Sequence, residues 1–545
     1  MAKRLATYLP FCMVAAFAIM PVYTYFKTNL TDLQLTGVAG LLIFAVVTAL
    51  VVWCIGRLLT RDWRRGAILG VLLTFPFFHF REIFDWVARD VTTFHPRAVV
   101  YVTVLILAVL VGWGLRKLKD RTVGTVLNYL AVVAVIFFAW QTVGMVQLAV
   151  KNSGTSVRAV NEDLVSAPRT PLKGTSLKEA PDIYYLIFDR YTGSVGLTES
   201  YRFDNSAFLD QLRQRGFYVP KASFSNYPVT ASSLSSSLNA GLLEAKGPVE
   251  RARAAKPLYK LLKQPAVPAY LQERGYEFVQ IGSWWGPTMR SQIADRNPKT
   301  AWELELFGQK AYLGDLTGVF MNKTAFRDLF EKIPTSRSTL YDNHGPAFQT
   351  QVTDTKQLAA ERGAKPKFVF THFLMPHPPY IYNSDGSRTF PKGLNGHQRY
   401  LRQLEYTNTR ILEMVDAIRR DSANPPIIIL QADEGEYPIH FTIDRKASDV
   451  EVREKTNVLN AYYFPNRKYG ALYDTITPVN TFRIVLNEFF GTDLARQSDR
   501  THTLGGRYNF LDFVDITDRV HRQPEPPGSG KPAANPPLTS GRKSR

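Results

Sequence analysis

The first 150 residues hold five long apolar runs, at about 8–26, 35–58, 66–80, 98–115 and 122–150. A helix needs roughly 20 consecutive apolar residues to cross the hydrocarbon of a bilayer, and every backbone group inside it must pair within its own segment. The runs therefore dictate a bundle of membrane-spanning helices before any other element is considered. The third run is short and continues into the charged REIFDWVARD (81–90), which predicts a span that tilts little or a partly interfacial helix. The flanking charges sort into two sets. Lys3, Arg4, Arg57, Arg61, Arg64, Arg65, Arg116, Lys117, Lys119 and Arg121 fall on one side; Lys27, Arg81, Arg89 and Arg97 fall on the other. The richer side is expected to be cytoplasmic, so the N-terminus lies inside and five crossings carry everything after Val150 out of the cytoplasm. No small-residue cleavage site follows the first run, which reads as a retained anchor in a bacterial-type inner (plasma) membrane.

Charge and cysteine content narrow the remaining classes. The formal net charge is +19, and 14 basic against 6 acidic residues in the first 150 account for +8 of it. The other +11 is spread over 395 residues, which suits a solvated surface near anionic lipid and gives no sign of a nucleic-acid partner or a protein partner. Cys12 and Cys54 both sit in apolar runs, so the soluble part has no thiol for a disulfide, a zinc knuckle or a cysteine nucleophile.

Residues 151–181 are polar, contain Pro and Gly, lack apolar periodicity and read as a linker. Beyond them DIYYLIFD (182–189), YEFVQIGS (276–283), KFVFTHF (367–373), PIIILQAD (426–433) and VLNAYYF (458–464) read as strands. Their near-continuous hydrophobicity predicts burial on both faces, and amphipathic stretches at 205–217, 257–275, 400–420 and 478–491 predict the covering helices. The expected architecture is a five-helix transmembrane bundle (1–150), the linker (151–181), an α/β domain with a mostly parallel central sheet and helices on both faces (182–515), and a disordered basic Pro/Gly-rich tail (516–545).

In an open parallel sheet the ligand site lies beyond the carboxyl ends of the strands. Asp189 ends the first strand, Asp433 and Glu434 follow the strand at 426, and KFVFTHF runs into LMPHPPY with His377. The stretch NYPVTASSLSSSLN (226–239) suits a helix whose N-terminus lies near Thr230, where the dipole favours an anion. A threonine hydroxyl hardly ionises at neutral pH. A divalent cation held by Asp189, Asp433 and Glu434 would lower its pKa and polarise a phosphoryl oxygen.

The order YYLIFDRYTG, NYPVTASSLSSSLN, THFLMPHPPY, IILQADEGEYP resembles the alkaline phosphatase and sulfatase superfamily, especially its membrane-anchored transferases, lipoteichoic acid synthase and the phosphoethanolamine transferases of lipid A. The resemblance covers nearly the whole chain to about residue 515 and implies five spans followed by an extracytoplasmic catalytic domain. It implies Asp189 as a metal ligand, Thr230 as nucleophile and ligand, Asp433 as the aspartate of an Asp-His-Gly ligand motif, and His377 as a contact to substrate phosphate. GSWWGPTMR adds Trp284 and Arg290 as head-group contacts. The motif reads Asp433-Glu434-Gly435 here, and a carboxylate in place of an imidazole hardens the site toward manganese or magnesium over zinc. The Cys/Ser-x-Pro-x-Arg pattern of true sulfatases is replaced by Asn226 to Thr230 with no arginine, which argues against sulfate ester hydrolysis.

The implied activity is transfer of a phosphoryl head group, phosphoethanolamine or phosphoglycerol, from a membrane phospholipid to an envelope glycan or lipid through a phospho-threonine intermediate. A phosphoester hydrolase with the same site, and a catalytically degenerate envelope scaffold or binding protein, stand as alternatives. Each residue has a plainer reading as well. Thr230 can be an N-cap, Asp189 and Glu434 turn carboxylates, His377 part of a proline-built turn, His372 a satisfied core histidine, His440 a surface residue, and Glu436 and Asp444 ordinary loop acids.

Overall fold

The computed structural model describes residues 2–28, 35–90, 96–152, 155–167, 180–249, 255–283, 285–298, 304–306, 309–311, 320–321, 323–327, 337–388, 390–391, 393–436, 447–506 and 509–522. The N-terminal part is six helices: α1 (Ala2–Thr28), α2 (Leu35–Thr60), α3 (Trp63–Phe78), α4 (Phe80–Asp90), α5 (Pro96–Arg116) and α6 (Asp120–Asn152). Four of them, α1, α2, α5 and α6, are long and apolar enough to cross a membrane, and α3 with α4 forms a pair bent by 64° that makes a fifth when taken as one span. The run expected as the third crossing is thus two helices with a bend between them. Its break follows Pro76, whose missing N–H and ring weaken the helical ladder, and α4 beyond it is amphipathic.

Four of the flanking charges, Arg65 and Arg116 from one set and Lys27 and Arg81 from the other, lie at opposite ends of the bundle. At one end Arg65 donates to the carbonyls of Leu115 and Leu118 and to Asp120, and Arg116 donates to the Leu59 carbonyl. At the other, Lys27 donates to Gln141, and Arg81 joins Asp85. A short segment of the soluble half, residues 320–321 and 323–327, docks at this second end. Phe320 and Met321 are buried there against Val22 and Phe78, and the Phe326 ring lies 5.5 Å from Phe44.

The soluble half is built on a five-stranded sheet. Its strands are β2 (Ile183–Phe188), β4 (Glu277–Ile281), β5 (Lys367–Phe373), β6 (Ile427–Gln431) and β7 (Asn460–Tyr463). In spatial order they run β7-β6-β2-β5-β4. Three pairings are parallel, and β7 joins β6 antiparallel, so the sheet is mixed. Successive side chains alternate between the faces. Tyr184, Leu186 and Phe188 of β2 pack into one core with Ile411, Met414 and Ile418, while Ile183, Tyr185 and Ile187 pack into the other with Leu234, Leu271 and Phe482. Burial on both faces is the reason the strands read as continuous apolar runs.

Part of the segment expected as a linker is built into this half. β1 (Ser156–Ala159) pairs antiparallel with β3 (Leu243–Lys246), and α7 (Glu162–Ser166) follows it. Arg483 explains the attachment. Its side chain is fully buried, forms charge-assisted bonds to Asp163 and donates to the Ala240 carbonyl at 2.7 Å. A local reading of polar composition misses a clamp made by an arginine 320 residues away. Residues 523–545, most of the expected tail, lie outside the described residues.

Candidate metal and nucleophile site

Three strand ends deliver the site. Asp189 follows β2 directly, and its N–H donates to the Phe373 carbonyl at the end of β5. Asp433 lies two residues beyond β6, and its neighbour Ala432 is tied to Leu459. His372 is the penultimate residue of β5 and sits level with Ile187 of β2. One ligand atom from each of Asp189, His372 and Asp433 lies within 4.8 Å of the others, and all three residues are buried. His372 Nε2 is 3.7 Å from Asp189 Oδ2.

These groups lack the partners that burial normally demands. Asp189 Oδ1, both carboxylate oxygens of Asp433 and His372 Nε2 complete no hydrogen bond. Burial, then the charges of Asp433 and Glu434, push the Asp189 carboxyl well above its ordinary range. Burial and the charge of Glu434 raise Asp433 to about 7, while the Thr230 hydroxyl faces it closely enough to favour its charged form. Burial holds His372 neutral, with a pKa lowered to about 3. Two repelling carboxylates and a neutral imidazole with a free nitrogen suit a divalent cation, and the residues present fit one.

His372 reads from its apolar strand as a core histidine, and what supports it as a ligand comes from a distant segment. Thr288, in α9 (Gly286–Met289), lies 2.9 Å from His372 Nδ1, and Ser283 Oγ lies 2.8 Å from Thr288 Oγ1. With Nδ1 engaged in this way, Nε2 faces Asp189. Gly282 allows the fold-back, since a Cβ there would stand 1.9 Å from the Met289 carbonyl oxygen. The segment flagged for Trp284 and Arg290 therefore contributes through Thr288. Arg290 caps the end of α9 and is half-buried; Trp284 lies outside the described residues.

Thr230 is the first residue of α8 (Thr230–Ser237), with Val229, not Thr230, at the cap position. Its hydroxyl is thus not spent on capping, and the residue remains partly exposed. The serines after it are structural. Ser232, Ser235 and Ser236 are buried and donate to the carbonyls of Val229, Leu258 and Gly241. Asn226 holds the approach to the helix by accepting from Val479 N–H and donating to the Arg500 carbonyl.

Glu434 is placed beside the group and turned to other partners. Its carboxylate lies 3.0 Å from Lys455 Nζ and 3.4 Å from Arg190 Nε, all three being buried. Gly435 makes room for this, because a Cβ would stand 2.0 Å from the Glu454 carbonyl oxygen. Glu436, read as an ordinary loop acid, accepts from the Tyr380 hydroxyl, donates its backbone N–H to Thr192 Oγ1 at 2.9 Å, and approaches Arg190. The His377 N–H donates to the Asp189 carbonyl at 3.2 Å, which sets this half-buried imidazole beside the site. Burial, then the charge of Arg190, lower its pKa well below the usual value. His440 and Asp444 lie outside the described residues.

Comparison with known proteins bears on this arrangement. No curated protein matches the chain. Among solved structures, the C-terminal periplasmic domain of EcEptC from Escherichia coli aligns at 13% identity and TM-score 0.38, covering 64% of this chain and 96% of that one. The integral membrane lipooligosaccharide phosphoethanolamine transferase A (EptA) from Neisseria meningitidis aligns at 12% identity and TM-score 0.38, covering 88% and 95%. A putative sulfatase, yidJ, from Bacteroides fragilis aligns at 10% identity and TM-score 0.35, covering 58% and 76%. The sulfatase family model matches residues 190–485, a span of more than half the chain that runs from the residue after Asp189 through Thr230, His372 and Asp433. The protein belongs to the sulfatase family, within the alkaline phosphatase superfamily.

Proposed function

We propose that the protein is a membrane-anchored, metal-dependent transferase that moves a phosphoryl head group, phosphoethanolamine or phosphoglycerol, from a phospholipid to an envelope glycan or lipid by way of Thr230. The observation that carries this reading is the meeting of Asp189, His372 and Asp433 beside a threonine at the positive end of a helix. Asp189, Asp433 and His372 would hold the cation, with Thr230 as a further oxygen ligand. Bound there, a divalent metal lowers the pKa of the hydroxyl and stabilises charge on the phosphoryl oxygens.

The Thr230 oxygen attacks phosphorus, a new P–O bond forms, and the ester bond to the diacylglycerol breaks. The hydroxyl proton leaves Thr230 and the departing alkoxide gains one, so the donor is released as a neutral alcohol. An acceptor hydroxyl then attacks the same phosphorus and frees Thr230. His377, kept neutral beside Arg190, is suited to contact the substrate phosphate without adding charge. Arg290 stands as a head-group contact on the same footing, as does Trp284.

A preference for manganese or magnesium over zinc requires Glu434 as a donor. With Glu434 engaged by Lys455 and Arg190, the remaining set is one imidazole and two carboxylates, a mixture that zinc and manganese both accept. Glu434 is better read as the counter-charge to those two cations. The same ion pairs are what a degenerate scaffold would show, but the unpaired atoms of three converging ligands speak for a working site.

On this reading residues 182–515 form the catalytic domain, with 156–166 clamped onto it, and the broken α3 and α4 complete five crossings that put the N-terminus in the cytoplasm and the site outside. The test is mass spectrometry of the Thr230 peptide after incubating the detergent-purified chain with a divalent metal and an envelope phospholipid extract, without acceptor. An adduct absent from Thr230→Ala, of head-group mass, is the expected result. A metal-loaded protein that consumes phospholipid with no adduct on Thr230 overturns the covalent route, and one that binds no metal overturns the enzyme.

A further inference from the structure

The break between α3 and α4 leaves two backbone groups that a continuous helix would have joined. The Arg81 N–H would donate to the Phe77 carbonyl in the i to i−4 ladder. Instead the Arg81 N–H donates to the Lys323 carbonyl at 3.0 Å, and the Phe77 carbonyl accepts from the Ala325 N–H at 2.7 Å. The Tyr101 hydroxyl of α5 donates to the Ala325 carbonyl at 3.2 Å. A strap from the soluble half thus fills both halves of one missing helical bond, which satisfies backbone groups that the break would leave unpaired.

Side chains of α3, α4 and α5 enclose a cavity of about 360 Å³ lined by Leu69, Leu73, Trp86, Val104, Ala108 and Val111 among others. Of its lining side chains only Thr103, with its hydroxyl, and Trp86, with its indole N–H, carry a polar atom. It opens sideways, since Leu72, Phe75 and Leu107 on its walls are 52%, 63% and 53% exposed. Its α5 wall runs from Val100 to Val111, about 16 Å at 1.5 Å per residue, which is the reach of an extended hydrocarbon chain. Arg81, which also pairs with Asp85, precedes the lining residue Ile83 by two positions and meets Lys323, itself 4.0 Å from Glu82, while Arg97 lies over the Phe84 ring of α4. An occupant with an apolar tail and an anionic group at one end matches both features.

We propose that this cavity binds one acyl chain of a membrane phospholipid, with the phosphate at Arg81, Arg97 and Lys323, next to the strap from the soluble half. The inference rests on α1–α6 being membrane helices, not on the reaction at Thr230. It is tested with the full chain in lipid nanodiscs containing a small fraction of phospholipid that carries a photoactivatable diazirine on one acyl chain. Cross-links are expected to concentrate on residues 83–87 and 100–111. Thr103→Trp and Ala108→Trp, which fill the cavity from its mouth and from its floor, should each cut that labelling about tenfold, the loss expected for about two unburied methylenes. Thr230→Ala should label like the parent chain, which separates this site from the chemistry. Labelling spread evenly onto the lipid-facing side of α6, or unchanged by a folded Thr103→Trp variant, overturns the proposal.

Discussion

Asp182 and Asp189 stand at the two ends of β2, with the strand's 6 residues between them, and their surroundings differ in one respect. At the amino edge Asp182 takes the Lys367 N–H at 2.7 Å, and its second oxygen lies 3.4 Å from Lys367 Nζ, which also donates to the Glu361 carbonyl at 2.9 Å. At the carboxyl edge Asp189 meets a second acid, Asp433, and a neutral His372, while the nearby cations Arg190 and Lys455 are drawn to Glu434. One edge neutralises its buried acid from within the chain. The other assembles more negative charge than it neutralises, and a buried surplus of that kind is what a bound cation relieves.

The strongest way to sharpen the contrast is Lys367→Met. It strands Asp182 as an uncompensated buried carboxylate and should cost about 3–5 kcal/mol in chemical unfolding, with metal content of the surviving folded protein unchanged. Parallel loss of metal would mean that the two edges are not independent. Next in size is Thr288→Val, which keeps the shape and removes the partner of His372 Nδ1. Metal affinity, followed by competition with a chelator, should fall about 10- to 100-fold. An unchanged affinity would take His372 out of the ligand set.

The smallest effect concerns Glu436, whose carboxyl is pushed up to about 7 by burial against the opposing pull of Arg190 and Tyr380. The folded protein then holds a proton that the unfolded chain gives up from about pH 4.5 onward, so this group's contribution to stability falls as pH rises to about 7 and is level above that. Glu436→Gln should flatten the decline in melting temperature between those pH values by a few degrees at most. An identical decline in the variant would assign the slope to other acids.

Much of the fold was legible because it rests on short-range pattern. The five central strands were each visible as apolar runs, and Asp189 and Asp433 could be placed at their carboxyl ends by chain order alone. His372 was legible in principle. Phe368 and Phe370 face the same core as Ile187, so counting by twos along β5 puts His372 on that face at the carboxyl end. Its setting among apolar neighbours made it look like a core residue instead. Thr288 offered no such signal, because its role depends on a fold-back that Gly282 permits only against the Met289 carbonyl.

The sequence by itself determined the membrane helices, the two-sided sheet and the acids at its edge, since each follows from hydrophobic period, segment length and strand polarity. Only the tertiary structure decided what those acids meet. Whether Glu434 faces the ligand group or Lys455 and Arg190, whether α3 crosses straight or breaks and borrows its hydrogen bonds from Lys323 and Ala325, and whether residues 156–166 hang free or are clasped by Arg483 all turn on contacts between distant parts of the chain. Charge pairing and backbone satisfaction act through space at a few ångströms, and local pattern carries no record of which distant residue will fill that space.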